Sequence, residues 1–309
     1  MFGKNQIVGQ SYFKDAAADQ LFVTSRFITL QGEGPYRGQP AFFIRLAKCN
    51  LACNFCDTFF DDGDWMTFDQ IDQTIDETIT EYFNGNVPEY ATWGQLESVP
   101  VEVFRSGAGY ITEIQLLPSK RKMVLVITGG EPMLQKNLGR FLERMNQQFE
   151  NTQIESNGTI VQTIPDSTTL VVSPKCAEKN GISTKYLTPR SEMLARADCL
   201  KFVMSADENS PYSEIPEWAI DWKKSTNKMV FVSPMNIYNV EPQRSKQLRS
   251  EKNDIDIKER SKIDEVISFW TPGLLNMERN QQNHEYVAKY CIRHGLTLNI
   301  QIHLLCSLA

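Results

Sequence analysis

The stretch Cys49-Asn50-Leu51-Ala52-Cys53-Asn54-Phe55-Cys56 decides how this chain is read. It sets three cysteines in a C-x3-C-x2-C array directly behind an apolar run at 41–47. Three thiolates this close can converge on one metal centre, yet they lack the fourth ligand of a closed structural zinc site. A [4Fe-4S] cube normally takes four cysteines. A cube held by three leaves one iron open, and an open iron can bind a substrate or cofactor. Spacing and missing ligand together point to chemistry rather than to a staple.

Outward from that loop, composition sets the bounds. A length of 309 residues allows two domains or a single α/β barrel. The hydrophobic fraction of 41% and aromatic fraction of 10% are enough for a large core. Lys+Arg 32 against Asp+Glu 38 gives a charge of −6, so neither a nucleic-acid nor an anionic-membrane partner is expected. No apolar run approaches the ~18 residues of a membrane span. The opening MFGKNQIVGQSYFKD has no apolar core of a secretory signal. Seven cysteines without an export signal argue against a disulfide framework and predict a cytoplasmic, reducing setting.

The chain alternates strand-like runs with helical or looping ones. Residues 21–30 read as a strand that runs into Gln31-Gly32-Glu33-Gly34-Pro35. Glycines on both sides of Glu33 would let the backbone come close to a ligand while presenting a carboxylate, although an ordinary β-turn has the same composition. The run 41–47 carries Arg45 and hands over to the cysteine loop, at the strand end where α/β folds place their sites. Thr67 is positioned to cap a helix over 68–83, with Ile71, Ile75, Ile79 and Tyr82 on one face. Residues 84–118 are irregular, with room for one hairpin.

Residues 123–128, MVLVIT, form a continuous apolar run typical of a strand buried on both faces. It ends in Gly129-Gly130-Glu131-Pro132, with a helix expected next through Leu134, Leu138, Phe141, Leu142 and Met145. The glycines would let a ligand lie against the backbone, Glu131 would accept from a cationic group, and Pro132 suits a helix start. Further strands are predicted at 152–155, 168–172, 199–204, 228–232 and 296–302, with small polar residues at their ends and Lys201 inside one of them. This rhythm predicts a mostly parallel sheet in an α/β fold, an incomplete, curved (β/α) barrel. Residues 241–265 carry seven basic and seven acidic side chains, a solvated loop or exposed helix. A helix over 286–294 should end on Gly295. Cys176, Cys199, Cys291 and Cys306 read as small buried hydrophobes, and His284 and His294 as surface residues. His303 closes a strand whose neighbours all end at the expected site.

The three cysteines, Phe55 just before the last of them, and Gly129-Gly130-Glu131-Pro132 resemble the radical S-adenosylmethionine (SAM) superfamily. Reading outward, Gln31-Gly32-Glu33-Gly34, Arg45, Cys56-Asp57-Thr58, Ser173-Pro174-Lys175 and Gln301-Ile302-His303 resemble the 7-carboxy-7-deazaguanine synthases. The resemblance implies a single radical SAM domain over 1–309, with 60–121 and 206–265 as insertions. It implies radical ring contraction of 6-carboxy-5,6,7,8-tetrahydropterin with loss of ammonia, assisted by Mg2+. Cys49, Cys53 and Cys56 would hold the [4Fe-4S] cluster and Thr58 the Mg2+. Phe55, Gly129, Gly130, Glu131, Glu155, Asn157 and Ser173 would meet SAM. Gln31, Glu33, Arg45 and His303 would hold the pterin. A flavodoxin or ferredoxin as electron donor and a homodimer are implied with these. Leu304 and Ser233-Pro234-Met235 depart from the family's pattern, which has lysine after the histidine and Gln-Pro-Met.

Two other readings stay open at this point. A radical SAM activase that makes a glycyl radical on a partner protein shares the cysteine loop but has no use for Gln31–Gly34 or Thr58. A non-catalytic iron–sulfur or zinc module would need a fourth cysteine close by, and the nearest is Cys176.

Overall fold

The apolar run ahead of the cysteine loop is a buried strand inside a nine-stranded sheet. The computed structural model describes residues 6–53, 55–56, 60–106, 109–179, 181–238, 275–306 and 308. The charged stretch 241–265 lies outside them.

The strands are β1 (Gln20–Leu30), β2 (Pro40–Leu46), β3 (Asp64–Thr67), β4 (Leu96–Arg105), β5 (Gly109–Pro118), β6 (Arg121–Gly129), β7 (Phe149–Ser156), β8 (Thr168–Val172), β9 (Cys176–Lys179), β10 (Ile182–Tyr186), β11 (Cys199–Met204), β12 (Met229–Pro234) and β13 (Thr297–Leu298). The helices are α1 (Phe68–Tyr82), α2 (Leu138–Gln148), α3 (Ser191–Arg196), α4 (Glu217–Thr226), α5 (Met277–His294) and α6 (Ile302–Leu305). The main sheet has the order β13-β12-β11-β8-β7-β6-β2-β1-β3, while β9–β10 and β4–β5 are separate two-stranded ribbons. From β2 to β13 every neighbouring pair is parallel. This is the mostly parallel α/β sheet expected from the sequence. Among the described strands of this sheet only β1 runs against it, antiparallel to both β2 and β3. Among the described residues no pairing joins β13 to β3.

The core follows from residue pattern. Residues 123–127 are buried throughout, as a strand covered on both faces must be. Helix α1 turns Phe68, Ile71, Ile75 and Ile79 onto the sheet, each buried side chain stabilising by roughly 1.5–3 kcal/mol. Thr67 caps it in a capping box: its hydroxyl accepts from Gln70 N at 3.2 Å, and Gln70 Oε1 accepts from Thr67 N at 2.8 Å. No helix among the described residues is long and apolar enough to cross a membrane.

Several local expectations need correction. Tyr82 is 51% exposed rather than on the buried face, and the neighbouring Phe83 packs against the core instead. The chain after Glu131 forms only a 3-10 turn, Pro132–Leu134, and α2 begins at Leu138. The Asn137 amide, which donates to Gln20 O at 2.9 Å, ties the start of α2 to β1. The strand expected over 296–302 is only Thr297–Leu298, and His303 lies in α6 instead of closing a strand. Helix α5 begins nine residues before the expected start, at Met277, where Asn276 Oδ1 accepts from Arg279 N, and it ends on Gly295 as expected, φ +62°. Cys176, Cys199 and Cys291 are buried, but Cys306 is exposed. His294 is exposed and stacks on Tyr290 at 4.3 Å, whereas His284 is half-buried, and burial lowers its pKa.

Candidate active site

The C-terminal ends of the parallel strands open into a cavity of about 220 Å³. The cysteine loop follows β2 directly and is fixed by backbone contacts on three sides. Val8 N donates to Cys49 O at 2.9 Å, Glu131 N to Lys48 O at 2.9 Å, and Gly130 N to Leu46 O at 2.9 Å. Lys48 takes a left-handed conformation, φ +73°, to turn the chain into the loop. The two glycines at the end of β6 have a reason that the sequence did not disclose. A Cβ on Gly130 would lie 1.9 Å from Lys48 O, and one on Gly129 would lie 2.2 Å from Leu46 O. Here bare backbone lets the turn press against the cluster loop, beside the cavity that both glycines also line.

A second clamp comes from β7. Asn157 Nδ2 donates to Asn50 Oδ1 at 2.9 Å, Asn50 Nδ2 donates to Thr159 Oγ1 at 2.7 Å, and Asn157 Oδ1 accepts from Thr159 N at 2.9 Å. Cys49, Cys53 and Cys56 all line the cavity. Burial, then the nearby Glu131 carboxylate, push the Cys49 thiol up; burial also raises Cys53, while Lys175 opposes it. No three Cys, His, Asp or Glu side chains among the described residues draw together around a single ion. Three thiols spaced around one cavity suit a polynuclear cluster, which distributes its ligands over separate irons.

Across the cavity lies a charged knot. Lys201 Nζ bonds the Glu33 carboxylate and sits 3.3 Å from Glu155 Oε2. Gln301 Nε2 donates to Glu33 Oε1 at 2.7 Å, and Gln31 Nε2 donates to Glu155 Oε1 at 3.4 Å. Burial works against the ammonium, but Glu155 and Glu33 outweigh it and hold the Lys201 pKa above its ordinary value. Burial raises the Glu155 carboxyl, opposed by Lys201 and reinforced by Glu33. Desolvation, then the nearby Lys201 ammonium, lower the pKa of the half-buried Lys175. Arg45 lays its guanidinium over the Phe27 ring, 4.7 Å from the centroid, and Phe27 stacks on Phe43. His303 presses on the glycine turn: a Cβ on Gly32 would meet its Nδ1 at 2.1 Å.

Of the residues chosen from the sequence, Gln31, Glu33, Arg45, Phe55, Gly129, Gly130, Glu155, Asn157, Ser173, His303 and the three cysteines all line this one cavity. Two do not. Thr58 lies outside the described residues. Glu131 is fully buried beneath the wall, where its carboxylate accepts from Met133 N at 3.0 Å, Ser156 Oγ at 2.8 Å and Asn157 N at 2.7 Å. Glu155, expected on the SAM side, accepts from Gln31, Gln153 and Lys201. Phe55 packs edge-on against Tyr212, centroids 4.9 Å apart. Sequence reasoning noticed Lys201 without assigning it a role, and missed Asn299. Asn299 is fully buried; its amide donates to Gly32 O at 3.3 Å and accepts from Gly34 N at 3.2 Å. A lysine in the middle of an apolar strand was the available signal for the first; nothing marked the second.

A three-cysteine loop at the end of a parallel strand, facing a glycine turn across a polar cavity, defines a radical SAM enzyme. No protein-family model matches the chain. It is similar to the 7-carboxy-7-deazaguanine synthase of Rickettsia prowazekii, 31% identical over 259 residues, covering 84% of this chain and 89% of that one. It is similar also to that of Rhodospirillum rubrum, 29% identical over 70% of this chain and 71% of the relative. The fold is similar to the crystal structure of QueE from Escherichia coli, TM-score 0.50 at 19% identity, covering 96% of this chain and 99% of that chain. The chain belongs to the 7-carboxy-7-deazaguanine synthase family.

Proposed function

We propose that this enzyme contracts the ring of 6-carboxy-5,6,7,8-tetrahydropterin to 7-carboxy-7-deazaguanine with loss of ammonia, a step of 7-deazapurine biosynthesis of the queuosine type. The observation that carries this reading is one cavity lined at once by the three cysteines and by Glu33, Arg45, Lys201 and His303. An activase acting on a protein backbone has no use for that second set, and nothing in the site favours it.

A [4Fe-4S] cluster on Cys49, Cys53 and Cys56 with bound SAM would supply one-electron cleavage of the sulfonium and so abstraction of a hydrogen atom from substrate C6. The chain's own groups do the rest. Arg45, stacked on Phe27 and so pre-aligned, meets the substrate carboxylate through two parallel N–H bonds. Glu33 is an acceptor-only group suited to the ring N–H donors, on a turn fixed by Asn299. Lys201 holds a proton at Nζ between Glu33 and Glu155, within the cavity where an amine departs. Gly129, Gly130, Asn157, Ser173 and Phe55 face SAM, and Thr58 supplies a hydroxyl to Mg2+, a hard cation that prefers oxygen. Rigid placement matters because a near-attack separation of about 3–3.5 Å tolerates little drift.

The chain acts as a single domain with insertions at 60–121 and 206–265, reduced by a flavodoxin or ferredoxin, as a homodimer, with no nucleic-acid or membrane partner. The test is anaerobic turnover of the carboxytetrahydropterin, deuterated at C6, with reductant, SAM and Mg2+. Label should appear in 5′-deoxyadenosine or in recovered SAM, with the deazapurine as product. SAM cleavage with the pterin left untouched would overturn the reading.

A further inference from the structure

Strands β4 and β5 form a ribbon of ten consecutive cross-strand pairs, from Leu96↔Pro118 to Arg105↔Gly109, and neither joins the main sheet. Directly opposite residues share a face. One face therefore carries Leu96, Phe104, Tyr110, Ile114 and Leu116, which are 68%, 65%, 74%, 68% and 63% exposed. Every residue of that face is exposed, and Glu102 is its one charged side chain. A lone two-stranded hairpin is marginal in water without a layer packed on its apolar face. Pro100, midway along β4, has no N–H to offer another strand at that edge. Cover that comes onto the face answers the need better than extension of the edge.

We propose that this face is where two copies of the chain pair, hairpin on hairpin, giving the homodimer proposed above its surface. The argument is self-complementarity. Along the face the rungs run 96/118, 98/116, 100/114, 102/112 and 104/110, so Pro100 and Ile114 form the middle one. A two-fold axis there, with the ribbons antiparallel, maps the face onto itself. The aromatic rung Phe104–Tyr110, whose rings already touch at 5.3 Å, then falls on the partner's Leu96 and Pro118. Glu102 falls opposite the partner's Ser98, whose hydroxyl can donate to it. Parallel ribbons would instead lay β4 over the partner's β5, setting Glu102 over Thr112 and Ser98 over Leu116. Five large side chains, each about two-thirds exposed, offer roughly 600 Å². That is at the top of the range for the largest apolar patch of a monomer, and with the prolines and rim it nears the ~800 Å² per partner of a stable interface.

The experiment is sedimentation equilibrium of the full chain carrying its cluster, with circular dichroism and iron content as checks on folding. The wild type should be a dimer at micromolar concentration. Ile114→Glu, which sets two carboxylates together at the axis, should raise the dimer dissociation constant by about 100-fold or more. Leu117→Glu, on the opposite face of the same strand, should leave it unchanged. Ser98→Glu alone should weaken the dimer about 10-fold by facing the partner's Glu102, and adding Glu102→Lys should restore it. A wild type that stays monomeric at tens of micromolar overturns the homodimer and this surface together. A dimer that persists in Ile114→Glu overturns the surface alone. Failure of Glu102→Lys to rescue Ser98→Glu overturns the antiparallel docking.

Discussion

Gly130→Ala tests whether the glycine pair serves the protein's own backbone. The added Cβ would lie 1.9 Å from Lys48 O, 2.4 Å from Lys48 C and 3.0 Å from Cys49 N. Nonbonded heavy atoms settle near ~3.5 Å, so the backbone carrying the first cluster cysteine must retreat by about 1.5 Å. No side chain can rotate away instead. The move breaks Gly130 N→Leu46 O and Glu131 N→Lys48 O, both 2.9 Å. Two hydrogen bonds contribute roughly 0.5–1.5 kcal/mol each, and forced overpacking costs roughly 1–3 kcal/mol. About 4 kcal/mol is then a large part of a stability of ~5–15 kcal/mol. At roughly 2 °C per kcal/mol for a large domain, the melting temperature should fall by about 8 °C. Thermal unfolding followed by circular dichroism, without iron, reads the first effect. Iron content after anaerobic reconstitution reads the second, which should be far below wild type because Cys49 is displaced. A variant with wild-type melting and a full cluster would refute the reasoning and return the glycines to a purely ligand-facing role.

Three more outcomes are expected. Gly32→Ala meets the His303 ring at 2.1 Å, a side chain that can swing, so fold and cluster should survive while pterin turnover falls; unchanged turnover would remove His303 from the substrate side. Lys201→Met leaves Glu33 and Glu155 facing each other, and should cost about 3–5 kcal/mol in denaturant unfolding at pH 8. Because the wild-type lysine has a raised pKa, its contribution is whole below its ordinary value near ~10.4. Burial raises the Glu155 carboxyl, so with the lysine gone it should take up a proton as pH falls toward 5 and shrink the variant's deficit; a pH-independent deficit would contradict the ion-pair account. Glu131→Gln replaces one acceptor oxygen with a donor among three inward-pointing donors. It should lower stability by roughly 1–3 kcal/mol without SAM present; intact stability with lost SAM affinity would make Glu131 the ammonium acceptor instead. The wild-type carboxyl is raised by burial, so its charge costs stability as pH rises above the ordinary carboxyl value, and Glu131→Gln should flatten that slope.

The legible parts of the chain were those whose signal is local. The cysteine spacing, the capping box at Thr67 and the apolar run of β11, Cys199–Met204, stand in the structure as the sequence reads. So does the alternation that makes the sheet mostly parallel. What escaped depends on partners distant in sequence. Nothing near Asn299 says that it bonds a turn more than 260 positions earlier. Lys201 reads in the sequence only as a lysine inside a strand, because Glu33 and Glu155, which neutralise it, lie 168 and 46 positions away. The sense of β1 also escaped, since its residues fit either direction and only the short connection to β2 sets it antiparallel. The ribbon β4–β5 was expected merely as a hairpin; that its apolar face stays bare is a property of the whole molecule.

These long-range bonds explain how the sheet holds a rigid site. No backbone pairing among the described residues links the β13 edge to the β1 side. Side chains make the link instead, at the end where the cavity lies. Just beyond β13, Asn299 takes both Gly32 O and Gly34 N, and it is itself held by Ser233 Oγ at 3.0 Å. Two residues on, Gln301 reaches Glu33, and His303 fills the space above Gly32 that any side chain would occupy. The glycine turn is thus gripped by the C-terminal segment, while the cysteine loop is gripped by Gly130, Glu131 and Asn157 from the centre of the sheet. The cluster loop and the Glu33 turn therefore rest on separate supports, although Arg45 shares β2 with the cluster loop. Disturbing Asn299 should loosen the Glu33 side without touching the thiols, and disturbing Gly130 should do the reverse. That separation lets failure of the pterin half be told apart from failure of the cluster half.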